Sequence, residues 1–95
     1  MELVFMNYDI SEFGSNIVSG SSTEKIVRKL LELLDDNDVL CLDFKNINVM
    51  TTTATKEILK PIVDKYGIEH LFKKIHFCNV AEDLKIVIST AIDGL

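Results

Sequence analysis

The sequence predicts an α/β fold: a mostly parallel, four-stranded sheet carrying about three helices, as a single helical layer or a two-layer sandwich. Three observations predict it. Short apolar, β-rich runs alternate along the chain with longer segments of helical periodicity. One run, Val39–Phe44 (VLCLDF), is almost continuously apolar, the pattern of a strand covered on both faces. Finally, 95 residues suffice for one modest core and not for two, so residues 1–95 are read as a single domain.

The first strand is expected in ELVFMNY, and a second, short one in NIVS, between the turn signals Gly14 and Gly20. Ser21 and Glu24 have the spacing of a capping box, and Ile26, Val27, Leu30, Leu31 and Leu34 then recur at helical intervals. Asp35–Asp38 (DDND) closes that helix as a solvated turn, since it lacks the glycine and distal glutamate of a calcium loop. After Val39–Phe44, the residues Asn46 and Asn48 suit a turn. A second helix carries Ala54, Ile58, Leu59, Ile62, Val63 and Tyr66 on one stripe, with a kink or restart expected at Pro61 and an end at Gly67. IHFCNV is the next strand. Asn79 and Glu82 then form an N-x-x-E start for a last helix with the stripe Leu84, Val87, Ile88, Ala91 and Ile92. This order implies right-handed crossovers.

Composition narrows the function. Apolar residues make up 47% and charged residues 26%, as in a globular chain. The net charge of −5 repels phosphate backbones and anionic lipids, so nucleic acid and membrane surfaces are not expected partners. No apolar run approaches the roughly 20 residues that span a bilayer, and the N-terminus lacks a signal-peptide pattern. Cys41 and Cys78 sit in apolar strand patterns, where reduced cysteine acts as a small hydrophobe, and the reading is cytoplasmic. His76 and Cys78 share a strand face and could meet Cys41, but nothing completes a metal-ligand set, so no metal or other cofactor is expected. The serines between Gly14 and Gly20 match no phosphate-binding loop, and His70 has no nucleophile to activate, so catalysis is not expected.

The strand-to-helix junction is richer. Thr51, Thr52 and Thr53 stand there in a row, followed by Thr55. One of them can cap the helix, yet capping does not account for four hydroxyls in a segment where threonine is mildly unfavourable. Functional residues of open parallel sheets gather at the carboxyl ends of strands, where this loop emerges.

The run LDFKNINVMTTTATKEIL resembles the STAS-like family of short bacterial domains. Those domains read as an apolar strand ending in Asp-Phe, a turn, a hydroxyl-rich triplet and an amphipathic helix often carrying Glu. The corresponding residues are Leu42, Asp43 and Phe44, then Val49 and Met50, then Thr51–Thr53, and Glu57. The likeness spans about residues 38–92; the N-terminal third matches in layout alone. The family includes anti-sigma factor antagonists, switched when a histidine-kinase-like ATPase phosphorylates a serine in an Asp-Ser-Ser-Gly motif at this junction. Asp falls on Thr51, the first serine on Thr52, the phosphorylated serine on Thr53 and glycine on Ala54. The acidic residue and the glycine are thus absent, and both serines are threonine.

The resemblance implies a non-enzymatic regulatory module that docks a protein partner, a histidine-kinase-like ATPase or anti-sigma-type regulator. Its expected docking residues are Asn46, Asn48, Thr51, Thr52, Thr53, Thr55 and Lys56, with Thr53 and Thr52 as phosphorylation candidates. Asp43, Pro61, Cys41 and Cys78 are read as structural. The rival reading is a small-molecule or nucleotide sensor with its ligand at the strand carboxyl ends. Self-association is left open.

Overall fold

The computed structural model describes residues 5–20 and 22–95. Its strands are β1 (Phe5–Asp9), β2 (Asn16–Ile17), β3 (Val39–Asp43), β4 (Val49–Met50) and β5 (Ile75–Cys78). Its helices are α1 (Thr23–Asp36), α2 (Thr52–Tyr66), the single turn α3 (Leu71–Lys74) and α4 (Glu82–Asp93). Two 3-10 turns, Ile10–Phe13 and Ile68–His70, join them. The α/β class holds. The expected four-stranded sheet is instead a parallel three-stranded sheet, β1-β3-β5, beside a separate parallel pair, β2-β4. Strand β4 is two residues long, too short to show an alternation, and it directly follows the asparagine-rich turn. The segment Ile68–Lys74, which reads as a polar connection, supplies the extra helical turns.

Register fixes the core. Leu40 lies opposite Met6 and Ile75, and Leu42 opposite Tyr8 and Phe77. Tyr8, Leu40, Leu42 and Ile75 are buried, and against this row pack Ile26, Leu30 and Leu34 of α1, Ile58, Leu59 and Ile62 of α2, and Leu84 and Ile88 of α4. Each such side chain contributes about 1.5–3 kcal/mol on burial. In the alternate row Phe5, Asn7 and His76 are exposed, Cys41, Asp43 and Cys78 are half-buried, and Val39 is buried. Among the described residues the helices therefore form one layer, and the opposite face of the sheet is open.

That arrangement corrects the reading of Val39–Phe44 as covered on both faces. Leu40, Leu42 and Phe44 point inward while Cys41 and Asp43 point out. Cys41 counts as a hydrophobe in the pattern and so hides the alternation. Cys41 and Cys78 are both free thiols.

Two helix features differ from expectation, the passage of α2 through Pro61 and the start of α4. Helix α2 runs unbroken through Pro61, with no restart. Proline removes one ladder bond, to the Glu57 carbonyl, and the buried residues Ile58, Leu59 and Ile62 hold the turns on both sides. Gly67 ends α2 as expected, at φ 90°, its N–H donating to the Val63 carbonyl at 2.7 Å. At α4 the cap position is Ala81, and Asn79 does not cap. Asn79 instead adopts a left-handed φ of 56°, which asparagine tolerates better than most residues, and its side chain turns to Asp43. At α1 the capping box through Ser21 lies outside the described residues, and Ser22 at the cap position makes no side-chain cap bond.

Candidate functional site

The junction from β4 to α2 is tied down at both ends. Thr51 donates its N–H to the Ile17 carbonyl of β2 at 3.1 Å, while its hydroxyl accepts the Ala54 N–H at 3.1 Å. Thr51 is thus the N-cap, in extended conformation. Thr55 is 3% exposed, and its hydroxyl donates back to the Thr51 carbonyl at 2.8 Å. Burial removes Thr55 from the expected docking surface; it braces the turn from beneath. Thr52 is half-buried and Thr53 exposed, and neither uses its hydroxyl in a hydrogen bond among the described residues. Two hydroxyls therefore remain at the positive end of the α2 dipole.

The other sequence candidates surround this turn unevenly. Lys56 is half-buried and lies against Gly94 at the end of α4, so closely that a β-carbon on Gly94 would stand 2.5 Å from Lys56 Nζ. Asn48 is exposed and donates its N–H to the Ser15 carbonyl at 2.9 Å. Asn46 is exposed too, but its amide donates to Asp9 Oδ2 at 3.0 Å. Asp43 has a structural part: Oδ1 accepts the Lys45 N–H at 2.9 Å and the Asn79 amide at 3.1 Å. Asp9, opposite Asp43 in register, likewise accepts the Ser11 N–H two residues on. Hydrogen bonds from Ser11 and Asn46 hold the Asp9 carboxyl below the usual range. The strand ends are thus closed by matching Asx turns.

Two features escaped sequence reasoning. The first is apolar. Val49 lies opposite Asn16, and alternation puts Val18 on the same outer face as Asn16 while Ile17 and Met50 go inward. Val18 and Val49 are 41% and 49% exposed, side by side with the threonine turn. The sequence signal is a single valine beside each short strand's buried residue, Val18 after Ile17 and Val49 before Met50. The second is Glu57, whose carboxylate accepts the Ser19 hydroxyl at 2.7 Å, the Gly20 N–H at 3.2 Å and the Thr23 hydroxyl at 3.2 Å. Those bonds, from Ser19 first, lower its pKa. No local pattern joins residues so far apart in the chain.

On the open sheet face, Cys78 neighbours Cys41, and burial raises the Cys78 thiol above its ordinary pKa. His76 turns to Phe5, ring edge to ring face at 6.5 Å. Among the described residues no group of three or more His, Cys, Asp or Glu is placed to hold a metal ion, and no helix is long and apolar enough to cross a membrane.

The molecule defined by these observations is a small α/β domain with a one-sided helical layer and a hydroxyl-bearing turn at a strand's carboxyl end. Comparison of the chain with protein-family models, curated proteins and solved structures returned no match.

Proposed function

We propose that the chain is a STAS-like regulatory module that works by docking a protein partner on the Thr52–Thr53 turn and the adjoining outer face of β2 and β4. One observation carries the reading: capping occupies Thr51, bracing occupies Thr55, and the two remaining hydroxyls sit on the turn that directly follows β4, whose exposed Val49 shares the outer face of the β2-β4 pair with exposed Val18. A small apolar patch beside uncommitted polar groups is the composition of a recognition surface. A histidine-kinase-like ATPase is the partner that the sequence resemblance implies. Phosphorylation of Thr53 or Thr52 would place about two negative charges in that interface, where desolvation and repulsion release the partner. The N-terminus of α2 accommodates the same charge, so the module itself stays folded.

The test is affinity capture from the source cell by the wild-type chain and by Val49→Asp and Thr53→Glu, with the retained proteins identified. The expected result is one or more proteins held by wild type and lost by both variants. Identical retention by all three sinks the reading.

A further inference from the structure

We infer that the groove between β5 and α4 is a second docking site, one that takes an extended peptide with apolar residues at alternate positions and opposite charges near its two ends. The groove encloses about 840 Å³ between α3, β5 and one face of α4. Phe72, Phe77, Val80, Ile88 and Ile92 form its apolar walls. Phe72 is 58% exposed, stacked edge-on against Phe77 at 6.5 Å, so an aromatic ring stands over the opening with one side in water.

The occupant follows from the backbone. β5 is an edge strand. The Cys78 carbonyl accepts the Phe44 N–H at 3.0 Å, which points the Cys78 backbone towards β3. Alternation along the strand turns the Phe77 N–H and C=O to the outside, where they have no backbone partner among the described residues. Phe77 thus offers ladder groups along the groove that its own ring lines. An extended segment adding to β5 satisfies those groups and sets alternate side chains against Phe72 and Ile88.

Charge sets the polarity of that segment. Lys85 and Asp93 both line the groove, eight positions apart on α4. At 1.5 Å per residue they stand about 12 Å apart, a distance covered by about four extended residues. Lys85 contacts Glu82 at 3.3 Å in an exposed pair, which a bound carboxylate can replace at little cost. The peptide therefore carries an acidic residue at the Lys85 end and a basic one about four residues away, at the Asp93 end.

The test selects a random decapeptide library displayed on phage against the full chain, then titrates the enriched peptides into 15N-labelled protein. Enriched sequences should alternate apolar and polar residues with the acid-to-base spacing above, and should shift the Phe77 and Ile88 amides. Methylating the central peptide nitrogen should weaken binding roughly tenfold or more, as should Phe72→Ser, a change at an exposed position. Lys85→Glu should reverse the preference for the acidic end, while Thr53→Glu should leave binding unchanged. An absence of enrichment, peptides without alternation, amide shifts elsewhere, or indifference to N-methylation overturns the proposal. So does Phe77 protection that rises with protein concentration alone, since the edge would then belong to a second copy.

Discussion

Glu57 on α2 grips Ser19, 38 positions earlier, at 2.7 Å, and so fastens the turn ahead of α1 to the helix beside it. The same carboxylate reaches the Gly20 N–H and the Thr23 hydroxyl, at the end of α1 where the helix dipole favours a negative charge. The turn that carries Val18 is therefore positioned by a residue on the helix that carries Thr53.

This relationship predicts a pH dependence. The Glu57 pKa is lowered in the folded state, chiefly by the Ser19 hydrogen bond. A lowered carboxyl pKa contributes stability above the ordinary glutamate range, and that contribution is lost as pH falls through the folded value. Glu57→Gln should therefore melt below wild type at pH 7, and the gap should narrow as pH falls below about 4.5. Melting curves at pH 7, 5 and 3 check it; a gap independent of pH would show that the carboxylate charge has no part.

The one-sided sheet predicts unequal costs for neighbours on β3. Leu42 is 1% exposed and faces the helices, so Leu42→Ala should cost about 2–5 kcal/mol. Cys41, on the open face, is half-buried, and Cys41→Ala should cost less than about 1 kcal/mol. Urea unfolding of both variants measures the difference. Equal costs would mean that something covers the second face.

Thiol chemistry tests the same face independently. Cys41 and Cys78 are half-buried, so both should react with an aromatic disulfide reagent in the folded protein. Burial raises the Cys78 pKa, which lowers its thiolate fraction, and Cys78 should react more slowly at pH 8 than cysteine in a short peptide. Rates measured on Cys41→Ala isolate Cys78. Reaction only after denaturant is added would contradict the open face.

What sequence could convey divides along a physical line. The helical stripes of α1, α2 and α4 were legible because 3.6-residue periodicity is local and long, and Leu30, Ile58, Ile62 and Leu84 are buried as their spacing requires. A threonine cap at the head of α2 was legible from the local sequence as well, but which threonine serves, Thr51, was settled only by the fold. Long-range hydrogen bonds were not: Glu57 with Ser19, Asn46 with Asp9, and Asn79 with Asp43 each span more than 30 positions. Asn79 has the residue type and spacing of a cap, and the Asp43 carboxylate outcompeted the α4 N-terminus for it. The pairing of β2 with β4 was hidden because two-residue strands carry no period.

The threonines at the head of α2 predict a separation of stability from recognition. Thr51 makes the cap bond to Ala54, so Thr51→Ala should cost about 0.5–2 kcal/mol. Thr53 is exposed, and its hydroxyl makes no bond among the described residues, so Thr53→Ala should change stability by no more than about 0.5 kcal/mol. Thr53→Glu adds a negative charge in the first turn of α2, a segment without acidic residues, where the dipole contribution of about 0.3–1 kcal/mol is favourable. That variant should melt at or slightly above the wild-type temperature at low salt, and the gain should fade as salt screens the charge. Melting curves of the three variants at low and high salt decide the matter. If Thr53→Glu lowers the melting temperature as much as Thr51→Ala does, Thr53 is part of the helix start, and the surface assigned to it contracts to Val18, Val49 and Thr52.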